Sequence, residues 1–111
     1  MSYLLFDIGG TRTRVAISDD LRTLRDVQSF NTPKKAIDGI DKIVEIAKKQ
    51  IKGDVKVIAG GIRGQLNDDN TELAVDTKLT GWVEEPLVTV LEKKLKTKVF
   101  LENDAAIAGL G

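Results

Sequence analysis

Apolar positions recur along this chain in two periods, and the switch between them predicts its elements. Tyr3 to Phe6 is a short apolar run that reaches Asp7, and Thr13 to Ser18 is a second, β-branched run. Gly9-Gly10 between them reads as the turn of a hairpin, with Asp19-Asp20 as the next turn. Leu24 to Phe30 completes an antiparallel meander. From Lys35 to Lys52 the period becomes helical, because Ile37, Ile40, Val44, Ala47 and Ile51 fall three or four residues apart with Ile43 beside them. Asn31 or Thr32 is placed to cap this helix, and Gly53 to end it.

Val55 to Ala59 predicts a fourth strand, followed at once by the cluster Gly60-Gly61-Ile62-Arg63-Gly64. Short strand-like pieces at Gln65-Leu66 and Leu73 to Val75 flank a turn at Asp68-Asp69-Asn70. Asp76 to Trp82 is a loop, with Trp82 as a core or hinge anchor. Glu84-Glu85-Pro86 opens a second helix with its acidic residues and proline in the first turn. Leu87, Val88, Leu91 and Leu95 supply its apolar face, and Lys93, Lys94 and Lys96 its last turn. Val99 to Leu101 is a fifth strand, and Ala105-Ala106 begins another helix. The order β-β-β-α-β-α-β-(α) predicts an α/β domain with a mixed five-stranded sheet and helices packed on it.

Composition narrows the class. With 111 residues the chain makes one domain. Seventeen acidic and seventeen basic residues cancel, leaving no electrostatic footprint for nucleic acid or a membrane surface. The absence of Cys and His removes disulfides, thiolate zinc sites and the commonest metal ligand. No basic n-region precedes the first apolar run and no stretch is long enough to span a membrane, so a cytoplasmic protein is expected.

The candidate chemistry begins at the hairpin. Asp7 ends the first strand beside Gly9-Gly10, whose glycines adopt φ > 0 or admit a ligand close to the backbone. The N–H groups of Gly9, Gly10 and Thr11, with the Thr11 hydroxyl, form an anion-binding concavity on this reading. A carboxylate beside phosphate calls for an intervening hard cation, Mg²⁺. The alternative is a tight hairpin carrying an exposed Asp. The glycines after the fourth strand do not meet the spacing of a dinucleotide fingerprint and are expected to line a cleft or make a bend. Asp104 falls where a strand ends and a helix begins, the place where open α/β sheets put ligand-binding residues, although Asp there is also a good helix cap.

Asp7-Ile8-Gly9-Gly10-Thr11-x-Thr13-Arg14, followed by Glu102-Asn103-Asp104-Ala105-Ala106-x-Ala108-x-Leu110-Gly111, resembles the ROK family of sugar kinases and related repressors. Gly61-Ile62-x-Gly64 and Leu79-x-Gly81-Trp82 lie where such kinases carry similar elements. The resemblance implies the ribonuclease-H-like fold of the actin, hexokinase and Hsp70 superfamily, and an N-terminal domain whose C-terminal partner is absent. It implies ATP and Mg²⁺ as cofactors and a hexose as substrate, with a glucokinase-like activity. Asp7 would organise Mg²⁺ through water, and Gly9, Gly10 and Thr11 would meet the ATP phosphates. Asn103 would bond a sugar hydroxyl, with Gly61 and Lys78 nearby on the sugar side. Asp104 would be the general base. Arg63 stands where many relatives have Pro, and Lys78 where many have Asn, so the sugar-facing loop departs from the usual pattern. A non-catalytic sugar-binding or regulatory relative is the alternative. A homodimer is expected, and the 111 residues alone are expected not to turn over ATP.

Overall fold

Near-continuous buried runs in the first two strands, Leu4 to Ile8 and Val15 to Ser18, mark the centre of the sheet. The computed structural model describes residues 2–53 and 55–103. Strand β1 spans Ser2–Ile8, β2 Arg12–Ser18 and β3 Arg25–Asn31, forming the expected antiparallel meander. Helix α1 follows at Ala36–Gln50, then β4 at Val55–Ile62. A small ribbon of β5 (Gln65–Leu66) and β6 (Leu73–Val75) leads through a 3₁₀ turn at Thr80–Trp82 into α2 (Leu87–Leu95) and β7 (Val99–Glu102). The main sheet has five strands in the order β3-β2-β1-β4-β7, with β4 parallel to both β1 and β7.

Both helices contribute to one core over one sheet face, which includes Leu4, Phe6, Ile8, Ile58, Ile62 and Leu101. Gly60 is a packing residue in this layer. A Cβ there would stand 2.0 Å from the Phe6 ring, so the missing side chain is the space the ring occupies. The glycine cluster was expected after the fourth strand, but Gly60 and Gly61 lie within β4, held in the ladder by pairing with Phe6 and Asp7.

The expected stripe of helix α1 is buried from Ile40 to Ile51, and it departs from expectation only at its start. Ile37 is 48% exposed, whereas Ala36, Gly39, Ile40, Ile43, Val44 and Ala47 are buried. The cause is Trp82, whose ring lies where a Gly39 Cβ would be, 2.4 Å away, and so needs a helix face without a side chain. The Trp82 indole N–H also donates to the Pro33 carbonyl at 2.8 Å, making it the anchor its isolation suggested.

The helix ends differ from expectation for equally local reasons. Neither Asn31 nor Thr32 caps α1. Its N-cap is Lys35, with no side-chain bond, because the Thr32 hydroxyl is taken by the hairpin. Ile51 rather than Gly53 ends it, donating its N–H to the Ala47 carbonyl. Glu84 and Glu85 lie outside α2, which is preceded by Pro86 as N-cap and ended by Lys96 in the left-handed region at φ 53°.

Candidate functional site

Parallel pairing of β1, β4 and β7 brings their C-terminal ends to one sheet edge. Asp7 is in register with Gly61, and Gly61 with Glu102. Phe6, Gly60 and Leu101 form the preceding row on the helix side, so strand alternation turns the Asp7 row to the other face. Gly61 separates the two acidic positions without adding a side chain of its own. β1 and β7 are therefore not direct neighbours; β4 lies between them.

Asp7 is buried although polar. Register places it opposite Arg14 on β2, whose guanidinium donates to Oδ2 at 2.9 Å. Oδ1 is buried with no hydrogen-bond partner among the described residues. A half-paired buried carboxylate of this kind is costly, and such groups are uncommon in folded proteins.

The turn beside Asp7 is held from below by Thr32. Its N–H donates to the Thr11 carbonyl at 2.9 Å, its hydroxyl donates to the Gly9 carbonyl at 2.8 Å, and that hydroxyl also meets Thr13 Oγ1 at 2.8 Å. These bonds occupy acceptors and leave donors. The N–H groups of Gly10 and Thr11 meet no acceptor among the described residues. Gly9 departs from the expected concavity, because its N–H closes the hairpin onto the Arg12 carbonyl at 3.0 Å. Neither Gly9 nor Gly10 has positive φ, so what the glycines supply is close approach, not unusual backbone. At Gly9 a Cβ would be 2.9 Å from that same carbonyl.

Beyond β4, the Arg63 N–H donates to the Ile8 carbonyl at 3.1 Å, which draws the chain alongside the end of β1. Gly64 then turns it with φ 97°, in space closed to any side chain by Leu73 and the Val75 carbonyl. Asn103 donates its side-chain N–H to the Gly64 carbonyl, so part of its amide is engaged within the protein. A cavity of about 300 Å³ at this edge is lined by residues including Asp7, Gly9, Arg14, Gly61, Arg63 and Asn103. Asp104, the expected base, and the helix expected after it lie outside the described residues.

Arg63, noticed only as a departure from a pattern, and Lys78, expected on the sugar side, both close on this edge. Arg63 Nη1 and Lys78 Cδ each stand 3.0 Å from where a Gly10 Cβ would be. The Arg63 Nε donates to Asp76, whose side chain is 5% exposed and whose Oδ2 also accepts the Leu79 N–H at 2.8 Å. Burial would raise the Asp76 pKa, but the Leu79 N–H, the Arg63 charge and the Thr77 N–H outweigh it and hold the carboxyl below its usual value. Spacing could not have revealed this group, since its members are far apart in the chain.

A larger hollow of about 520 Å³ lies between the C-terminal ends of α1 and α2. Lys48, Lys94 and Lys96 line it, but they face helix carbonyl ends that attract cations, and Lys94 already pairs with Asp41 at 3.4 Å. Among the described residues there is no cluster of three or more acidic, His or Cys side chains able to hold a metal, and no helix is long and apolar enough to cross a membrane.

The family profile described as ROK family matches residues 3–111. The chain belongs to the ROK family. No curated protein matches it. Among solved structures, a ROK family glucokinase from Streptomyces griseus, in complex with glucose and AMPPNP, aligns with TM-score 0.80 and 24% identity over 93% of this chain and 33% of that one. A ROK hexokinase from Thermus thermophilus aligns with TM-score 0.79 and 23% identity over 92% of this chain and 35% of that one. A ROK family transcriptional regulator, a homologue of the E. coli MLC protein, aligns with TM-score 0.69 and 14% identity over 93% and 28%. This ROK chain thus spans about a third of the length of these structures and has the actin-like ATPase fold of the family.

Proposed function

We propose that this chain is the N-terminal part of an ATP-dependent hexose kinase, glucokinase-like, that transfers the γ-phosphate of ATP to a sugar hydroxyl. The observation that carries the reading is Asp7, a buried carboxylate with one oxygen unpartnered among the described residues, beside a turn whose Gly10 and Thr11 N–H groups are likewise unpartnered among them. An uncompensated acceptor next to free donors suits a site that holds a cation and an anion together. Gly9, Gly10 and Thr11 meet the phosphates, with Gly10 and Thr11 supplying the N–H groups.

Mg²⁺ fits this donor set, because it is usually held by one or two carboxylates, with water and phosphate oxygens completing its shell. Bound there, it supplies neutralisation of phosphate charge. Asp7 is the residue that would hold it, and Arg14 keeps that carboxylate in place through Oδ2. On the sugar side, Asn103 bonds a hydroxyl, with Gly61 and Lys78 nearby, and Asp104 takes the proton of the attacking hydroxyl. Phosphoryl transfer asks mainly for such positioning and charge neutralisation. The family's mixture of kinases and a regulator keeps one second reading, a sugar-responsive protein without turnover. ATP use places the protein in the cytoplasm on this proposal. A homodimer belongs to the same proposal, and light scattering measures it.

A coupled assay on the full-length protein with MgATP and glucose, mannose, fructose, allose and N-acetylated hexosamines tests the kinase. Turnover of at least one sugar is expected. Sugar binding without turnover of any of them would leave the regulatory reading in its place.

A further inference from the structure

We infer that Arg63 and Lys78 form a two-cation clamp over the Gly9-Gly10-Thr11 turn that holds a linear chain of condensed phosphates. The inference deepens the kinase reading and rests on it for the location of the phosphate site. Both side chains converge on Gly10, each 3.0 Å from the position of the missing Cβ, so any larger residue there would displace them. Arg63 is fixed by its ends: the backbone N–H is bonded to Ile8 and Nε to Asp76. Its terminal nitrogens meet no acceptor among the described residues, and Lys78 has no ion pair among them.

The electrostatics point the same way. Arg12, Arg14 and Arg63 line the cavity with Asp7, while Lys78 adjoins Gly10 and Asp76 adjoins Arg63. Asp7 engages Arg14 and Asp76 engages Arg63, while Arg12 donates to Ser29. Basic side chains thus outnumber acidic ones in the cavity lining, on a chain whose acidic and basic residues cancel overall. The Arg63 guanidinium and the Lys78 stem meet at one glycine, and like charges carried on such neighbouring side chains repel unless water or an anion lies between them. Beside them are the unpartnered N–H groups of Gly10 and Thr11, which accept the same kind of ligand. One phosphate could satisfy the turn. A chain of them reaches both the turn and the two side chains, with Arg63 offering its planar fork and Lys78 a mobile point charge.

Such a chain comes from a nucleoside triphosphate or from inorganic polyphosphate. The test is an NMR titration of the protein with inorganic tripolyphosphate, with ATP in parallel, in EDTA so that only the chain's own cations act. Tripolyphosphate is expected to shift the Gly10, Thr11 and Arg63 amides. The double variant Arg63→Met with Lys78→Met is expected to weaken both ligands equally, by roughly ten-fold or more. Arg63→Lys with Lys78 intact is expected to recover part of the affinity, and a dispersed amide spectrum shows that each variant folds. Tighter binding of ATP than of tripolyphosphate assigns the nucleotide as the source, and equal binding assigns the inorganic chain. Undiminished tripolyphosphate binding by the folded double variant overturns the clamp, as does a loss confined to ATP, which would place the side chains against the nucleoside. The hexose assay is independent. Phosphate binding through Arg63 without hexose turnover sinks the kinase reading alone, and hexose turnover with undiminished binding sinks the clamp alone.

Discussion

Arg14 holds only one oxygen of Asp7: the guanidinium reaches Oδ2 at 2.9 Å, and Oδ1 remains buried without a partner among the described residues. The pair follows from strand register, since the two residues are direct partners in the β1–β2 ladder. It gives the carboxylate a fixed place without satisfying it.

Replacing Asp7 therefore separates stability from function. A half-exposed ion pair contributes about 0–1 kcal/mol, whereas an unsatisfied buried polar atom costs about 1–3 kcal/mol. Asp7→Ala is expected to leave thermal stability unchanged or raised, while abolishing sugar phosphorylation by the full-length protein. Differential scanning calorimetry alongside the coupled assay reads both. A marked fall in Tm would make the carboxylate a structural residue.

Gly39 is expected to tolerate no side chain. Alanine is the better helix former by about 1 kcal/mol, but its methyl would stand 2.4 Å from the Trp82 ring, and overpacking costs about 1–3 kcal/mol. Gly39→Ala should lower stability and redden the emission of Trp82, the single Trp of the chain. Unchanged emission and a higher denaturation midpoint would show that the indole has room to move.

Asp76 gives the fold an acid limb. Its folded pKa lies below the ordinary carboxylate value, so the unfolded chain binds its proton first as pH falls. The stability it contributes is present above about pH 4 and is lost as pH falls through the folded value. Asp76→Asn should flatten the dependence of urea midpoint on pH below that point. Asp19 and Asp20, also lowered, through bonds from Arg25 and from the Thr23 N–H respectively, act in both proteins and cancel from the comparison. Parallel profiles for the two proteins would contradict the assignment.

Asp104→Asn in the full-length protein is expected to reduce kcat by about 10²–10⁴-fold, the usual cost of losing a general base. Sugar affinity, measured by calorimetry, should stay within a few-fold because the amide keeps one oxygen acceptor. Near-normal kcat would remove Asp104 from that role.

What was legible in the sequence is what short-range physics controls. The period-two runs, the helical period from Ile40 to Ala47 and the glycine turn at Gly9-Gly10 are expressed by neighbouring residues, and the strands and helices appear where these signals place them. The hairpin motif also marked Asp7 and Gly10 as the place to look. Helix ends were less legible, because Thr32 is as good a cap by type as by position, yet the fold gives its hydroxyl to Gly9. Only the tertiary structure decided which donors stay open. Gly9 lost its N–H to Arg12, and Gly10 kept its own. It also set Trp82 against Gly39 of α1 and brought Arg63 and Lys78 over Gly10. Those contacts join residues dozens of positions apart, and their geometry is set by parallel pairing and core packing, which no local pattern encodes.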